Sequence, residues 1–238
     1  TSSMSVRSAL MSLKSKSGAQ RIVLDLRGNG GGLLREAVNI VGLFVDKGEL
    51  VVSTKGKIAS WNKVYETKAA PVAPDIPLIV LVDENSASAS EIVSGALQDL
   101  DRAVVIGRQS FGKGLVQRTK DLVYNSKMKL TIAKYYIPSG RCIQRLDYSN
   151  KKDGKAKAVA DSLIKPFETR KGRPVFDGRG VDPDVLIEKS VESELLKSLK
   201  TNYVLFDYVT DYAANYQNPD TVINFKYEDY DGFKTCAT

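Results

Sequence analysis

The stretch Leu78-Ile-Val-Leu-Val-Asp83-Glu-Asn-Ser86-Ala-Ser88-Ala-Ser90-Glu91-Ile92-Val-Ser-Gly-Ala-Leu-Gln-Asp99 decides the fold. Its opening apolar run, closed by an aspartate, reads as a buried strand, and the spacing of Ile92, Val93, Ala96 and Leu97 reads as a helix. Ser88 then sits at a strand-to-helix turn. A hydroxyl there faces the positive end of the helix, and nearby backbone N–H groups can hold a developing oxyanion. The same residues admit a plainer reading. Ser88-x-x-Glu91 before an apolar helix is a capping box, in which serine and glutamate each satisfy an orphan backbone donor. Ser86 fits the cap equally well and leaves Ser88 free. Read on its own, this stretch favours the cap.

The rest of the chain changes that balance. It has 238 residues and no histidine, so a Ser-His-Asp or Cys-His arrangement is excluded. A serine nucleophile here needs another base, and lysine serves when burial disfavours its ammonium form. Ser110-Phe-Gly-Lys113-Gly-Leu-Val-Gln117 offers one. Glycine on both sides of Lys113 allows close backbone approach, and Phe111, Leu115 and Val116 can form an apolar wall. In an extended segment residues 113, 115 and 117 share a face, which puts Gln117 in reach of the Lys113 amine. In isolation, Gly-Lys-Gly also reads as a basic turn in water.

Together these residues resemble the carboxy-terminal processing peptidases, or tail-specific proteases, a serine peptidase family with a Ser-Lys dyad. The family's Ser-Ala-Ser-Ala-Ser-Glu run stands at Ser86 to Glu91, and its Phe-Gly-Lys-Gly-x-Val-Gln run at Phe111 to Gln117. Its Leu-Asp-Leu-Arg-x-Asn-x-Gly-Gly motif appears as Leu24-Asp-Leu-Arg27-Gly-Asn29-Gly-Gly31-Gly32. Two more family-like stretches are Ala133-Lys-Tyr-Tyr-Ile-Pro-Ser-Gly-Arg-Cys-Ile-Gln144 and Gly172-Arg-Pro-Val-Phe-Asp-Gly-Arg-Gly-Val-Asp-Pro-Asp184. The resemblance implies Ser88 as nucleophile, Lys113 as general base and Gln117 as its orienting partner. It also implies an oxyanion hole from the N–H of Ala89 and that of Gly31 or Gly32. Asp99 is assigned to structure rather than catalysis. No cofactor and no metal are implied. The substrates are polypeptides, the setting extracytoplasmic, in a bacterial periplasm or envelope, and a PDZ module is expected upstream in the parent chain.

Composition agrees with a globular protein. Hydrophobic residues make up 42% and charged residues 26%, the ordinary range for a chain with one sizeable core. Two cysteines, Cys142 and Cys236, imply no disulfide framework. Thirty-five Lys and Arg against 28 Asp and Glu leave a net charge of +7. These charges are scattered, and the dense Lys151–Lys157 and Arg170–Arg173 runs read as solvated loops, so no nucleic-acid partner is expected. Arg27-Gly-Asn-Gly-Gly-Gly32 lacks the Lys-Ser/Thr ending of a P-loop and the glycine spacing of a dinucleotide fingerprint. It reads as an oxyanion-binding turn. No stretch is long and apolar enough to span a membrane. Thr1 opens directly onto an apparent helix, as in a chain cut from a longer one.

In order, the pattern predicts helix Met4 to Lys14, strand Arg21 to Leu26, a glycine turn and helix Leu33 to Val45. Extended segments follow near Leu50 to Ser53 and Lys57 to Glu66. After the central strand and helix come a strand Val104 to Ile106 and a hairpin, Leu115 to Val123 with Met128 to Ile137, turning at Tyr124 to Lys127. Strands alternating with helices make this α/β, which the resemblance narrows to a crotonase- and ClpP-like ββα core with a β-rich extension. Residues 1–190 form the catalytic core, with a mobile polar insertion near 150–165. Residues 191–238 form a helical tail packed on it, in which Leu195, Leu196, Leu199, Tyr203, Phe206 and Val209 recur at helical spacing until Pro219. The function expected is a serine endopeptidase working through an acyl-enzyme. A crotonase-like acyl-CoA enzyme and a catalytically silent peptide-binding scaffold are the alternatives.

Overall fold

The computed structural model describes residues 1–152, 155–189, 192–215 and 226–236, and divides the chain into two units, Thr1–Glu188 and Lys189–Thr238. The first unit is built on a parallel sheet. Helix α1 (Ser2–Lys16) leads into strand β1 (Ile22–Asp25), and helix α2 (Leu34–Val41) follows the glycine turn. Strand β4 (Leu78–Val82) pairs parallel with β1, and beyond it β5 (Val104–Gly107) pairs parallel with β4. A short last strand, β12 (Val185–Leu186), completes the order β1-β4-β5-β12.

Helix α3 (Ala89–Asp99) joins β4 to β5, and all of its residues are buried. Its sequence explains how: Ala89, Ser90, Ser94, Gly95 and Ala96 are small enough to let neighbours approach on every side. A Cβ on Gly95 would lie 2.7 Å from Ile137 Cδ1. The buried Ser94 and Gln98 side chains of α3 are satisfied within the protein, as burial demands. Ser94 Oγ donates to the Ser90 carbonyl at 2.9 Å, and Gln98 Nε2 donates to the Asp182 carbonyl and to Asp184 Oδ1, both at 2.9 Å.

A second, antiparallel sheet has the order β3-β2-β7-β6. It comprises β2 (Leu50–Lys55), β3 (Lys63–Glu66), β6 (Leu115–Asp121) and β7 (Lys127–Tyr136), with a 3-10 turn at Ala59–Trp61 between β2 and β3. The expected β6–β7 hairpin is present, its turn carrying Tyr124 and Asn125 at positive φ. Smaller pairs are β8 (Leu146–Lys152) with β9 (Lys155–Ala158), and β10 (Pro166–Glu168) with β11 (Pro174–Phe176).

Two expectations are corrected. The polar insertion expected near 150–165 carries the β8–β9 hairpin, followed by a 3-10 turn at Asp161–Leu163, with residues 153–154 outside the described set. The helix expected to reach Val45 stops at Val41, where Gly42 serves as C-cap and donates its N–H to the Val38 carbonyl. The extended segment from Lys57 is divided by the 3-10 turn. Cys142 is a half-buried free thiol, and burial pushes its pKa up, which keeps it un-ionised.

The second unit holds α4 (Glu194–Thr201), α5 (Val204–Asn215) and α6 (Tyr230–Cys236). The helical spacing from Ser193 onward is therefore split in two, at Asn202 and Tyr203, the latter at φ 59°. Pro219 lies outside the described residues. No described helix is long and apolar enough to cross a membrane.

Candidate active site

Three serines follow β4, and only one is presented. Ser86 and Ser90 are buried, whereas Ser88 is half-exposed. Ser86 Oγ donates to the Leu26 carbonyl at 2.7 Å and accepts from the Asp83 N–H at 3.0 Å, tying the end of β1 to the turn. Ser88 sits between β4 and α3 at φ 57°, ψ −112°, a conformation costly for a residue with a Cβ. Such strain persists only where the surroundings enforce it. Here Glu91 Oε2 accepts the Ser88 N–H at 2.7 Å, the carboxylate half of the capping box.

The glycine turn lies directly against this serine. Ala87 N–H donates to the Asn29 carbonyl at 3.0 Å, and Gly28 N–H donates to Asp83 Oδ1 at 2.9 Å. Burial raises the Asp83 pKa, but the N–H groups of Gly28, Asn85 and Ser86 outweigh it and leave the carboxyl below the usual range. Gly31 has φ 98°, and a Cβ on it would stand 2.5 Å from the Ala87 carbonyl oxygen, 2.8 Å from Ala89 N and 3.0 Å from Ser88 Cβ. Its own N–H donates to Asn29 Oδ1 at 2.9 Å. Of the two candidate glycine donors, Gly32 is the one whose N–H has no partner among the described residues, as is also true of Ala89 at the start of α3.

Gly31→Ala is accordingly expected to destabilise the protein by about 2–4 kcal/mol, from overpacking and left-handed strain together. That is a fall in Tm of roughly 4–16 °C for a chain of this size. A Cβ on Gly30 meets nothing within 4 Å, so Gly30→Ala is the control. Equal melting temperatures for the two variants would contradict the close approach at Gly31.

The lysine loop is held as firmly as the serine turn. Phe111 N–H donates to the Ser86 carbonyl at 3.0 Å, Arg145 N–H to the Gly112 carbonyl at 3.0 Å, and Gly114 N–H to Gln144 Oε1 at 2.7 Å. A Cβ on Gly112 would lie 2.3 Å from Arg145 Cβ, and one on Gly114 2.6 Å from Gln144 N, so both glycines flanking Lys113 are required by close approach. The expected apolar enclosure of the lysine is not found: Lys113 and Gln117 are exposed, and Phe111 is 41% exposed. Lys113, Leu115 and Gln117 do line one cleft, of about 780 Å³. Among the described residues, no hydrogen bond joins the Lys113 amine to Ser88 or to Gln117.

What joins the two segments is Glu91, which sequence reading took only as a cap. It is fully buried, and four donors converge on it. Oε2 accepts the N–H of Ser88 at 2.7 Å and that of Lys113 at 2.8 Å; Oε1 accepts the Gly112 N–H at 2.6 Å and the Ser110 hydroxyl at 2.5 Å. Burial pushes the Glu91 carboxyl above its usual range, against the downward pull of these donors. Ser110 Oγ in turn accepts the Val181 N–H at 2.7 Å. Gly180 closes the network: a Cβ there would lie 2.6 Å from Ser110 Oγ and 2.9 Å from Glu91 Oε1. Asp99, three turns along α3, is buried against Arg141, with 3.0 Å between Oδ1 and the guanidinium.

The sequence model of peptidase family S41 matches residues 1–151. The chain is 45% identical over 142 residues to a carboxy-terminal-processing protease of Bartonella bacilliformis, covering 58% of this chain and 32% of that protein. It is 38% identical over 135 residues to the chloroplastic C-terminal processing peptidase of Tetradesmus obliquus, covering 57% and 29%. Among solved structures, the photosystem II D1 C-terminal processing protease matches with a TM-score of 0.59 at 30% identity, over 79% of this chain and 39% of that one. The chain spans about a third of the length of these curated relatives.

Proposed function

Because the chain belongs to peptidase family S41, we propose that it carries the catalytic residues of a C-terminal-processing serine peptidase working by a Ser88–Lys113 dyad. One observation supports this most: the backbone N–H groups of Ser88 and Lys113 donate to the same oxygen of a buried carboxylate. Two segments far apart in sequence are thereby fixed side by side, while both side chains stay accessible.

In this reading Ser88 Oγ attacks the scissile carbonyl and the neutral Lys113 amine takes its proton. The oxyanion forms against the N–H groups of Ala89 and Gly32, where the positive end of α3 adds to the attraction. Water then releases the acyl-enzyme. Lys113 reaches the hydroxyl by rotating its own side chain, since its main chain is pinned; Gln117, in the same cleft, orients the amine.

A fluorophosphonate probe tests the assignment, because it reacts with an activated serine and needs no knowledge of the substrate. Labelling is expected on Ser88 alone, located by peptide mass mapping. Its rate should rise with pH, since only the unprotonated amine can act as base. A pH-independent rate, or adducts spread over other serines, would sink the dyad.

A further inference from the structure

Strand β7 pairs with β2 only from Lys134 to Tyr136, so nearer the turn β6 and β7 form a ribbon with no third strand among the described residues. Residues 117–131 are exposed without exception. A bare two-stranded ribbon is marginal in water, yet this one carries apolar side chains on its outside. Leu122, Val123 and Tyr124 lead into and form the turn, with Val123 74% and Tyr124 97% exposed, and Met128 and Leu130 follow on β7. Cations stand behind them: Arg118 and Lys120 on β6, Lys127 and Lys129 on β7. The one carboxylate between residues 117 and 131 is Asp121, which Lys127 meets at 3.4 Å. Register sets Lys120 opposite Met128 and Arg118 opposite Leu130. One face of the ribbon therefore carries two cations, two apolar side chains and no carboxylate.

We propose that this ribbon docks on an anionic lipid bilayer, its turn entering the boundary between headgroups and acyl chains while Arg118, Lys120 and Lys129 meet lipid phosphates. The order of side chains along the ribbon matches the order of layers in a bilayer, apolar at the outermost point and cationic two to five residues behind it. At about 3.3 Å per residue that is a setback of roughly 7–17 Å, against an insertion of about 5–10 Å for interfacial segments. Tyrosine suits that boundary, having an apolar ring and a polar tip. A convex turn offers no groove to a folded partner, whereas a fluid surface needs none. The net charge of +7 acts in the same direction. Strand β6 also runs directly from the Lys113 loop to this turn. Ten residues, at most about 36 Å of chain, separate Lys113 from Val123, so docking holds the proposed site near polypeptides anchored in the bilayer.

The chain is sedimented with vesicles of phosphatidylcholine alone and with vesicles in which about a third of the lipid is phosphatidylglycerol. Binding to the anionic vesicles is expected to be at least about tenfold tighter, and to weaken in about 0.5 M salt, which screens exposed charges. The double variant Val123→Asp, Tyr124→Asp should bind them at least about tenfold more weakly. Aspartate tolerates the positive φ of residue 124, so the turn is kept, and circular dichroism checks it. Lys120→Gln with Lys129→Gln should remove the preference for anionic lipid. Equal sedimentation with the two kinds of vesicle, or undiminished binding by the aspartate variant, overturns the proposal. So does tight binding of polyglutamate that the aspartate variant retains, which would give the cations to an acidic polypeptide instead. Sedimentation does not involve Ser88, so its outcome is independent of fluorophosphonate labelling.

Discussion

Ser88→Ala is expected to lower peptide hydrolysis by on the order of 10⁴-fold or more, to the limit of detection, with no change in Tm beyond about 2 °C. Lys113→Ala should do the same, and the double variant should be no slower than either single one. Nucleophile and base act on one proton transfer, so once either is gone the other has nothing left to contribute. The structure makes the control clean. Lys113 is exposed and its backbone, not its side chain, holds the loop, so truncation leaves the Glu91 network intact. Hydrolysis of an unstructured protein such as casein, read by release of acid-soluble peptides, measures the effect, and circular dichroism checks the fold. Lys113→Ala retaining a tenth of the activity would show that another group takes the proton.

The largest effect on stability is expected at the pair beneath the site. Asp99 and Arg141 are both fully buried as side chains, 3.0 Å apart. Asp99 Oδ2 accepts the Ser139 N–H at 2.9 Å, and Arg141 Nη2 donates to Gln98 Oε1 at 2.7 Å. Removing one partner strands the other's charge in the interior, which typically costs about 3–5 kcal/mol. Asp99→Ala and Arg141→Met should each show that loss in urea denaturation. The combination of the two should be more stable than either alone, because it buries no lone charge. Additive losses in the double variant would mean that the pair's hydrogen bonds to Ser139 and Gln98, rather than its mutual attraction, carry the stability.

Much of this was legible in the sequence because it is written in consecutive residues. The apolar run of β4, the helix after it, the glycines about Lys113 and the turn of the β6–β7 hairpin are local signals, and all are found. What the sequence hid was pairing over distance. Glu91 announces its bond to Ser88, three residues away, but nothing local announces Lys113 or Gly180. Asp99 was read as structural without its partner, since Arg141 stands in a motif of its own. Lys151 to Lys157 looked like a solvated charge run, yet a ladder of backbone bonds needs no apolar side chains to form. The exposure of Lys113 is hidden in the sequence for a related reason: an apolar neighbour in sequence, such as Phe111, need not pack against the residue it precedes.

Gly180 has a consequence for the order in which the molecule is made. The residues that do chemistry in the proposed mechanism have all left the ribosome once residue 117 has emerged, but the cover over Glu91 comes from Gly180 and Val181. Strand β12, which shields the edge of β5, comes later still. A nascent chain ending near residue 151 holds both serine and lysine but lacks the residues that pack over Glu91 and the strand that pairs with β5. Non-local contacts of this kind form last and slowly. The network that joins the segments of Ser88 and Lys113 is therefore complete only once residues 180 and 181 have been made.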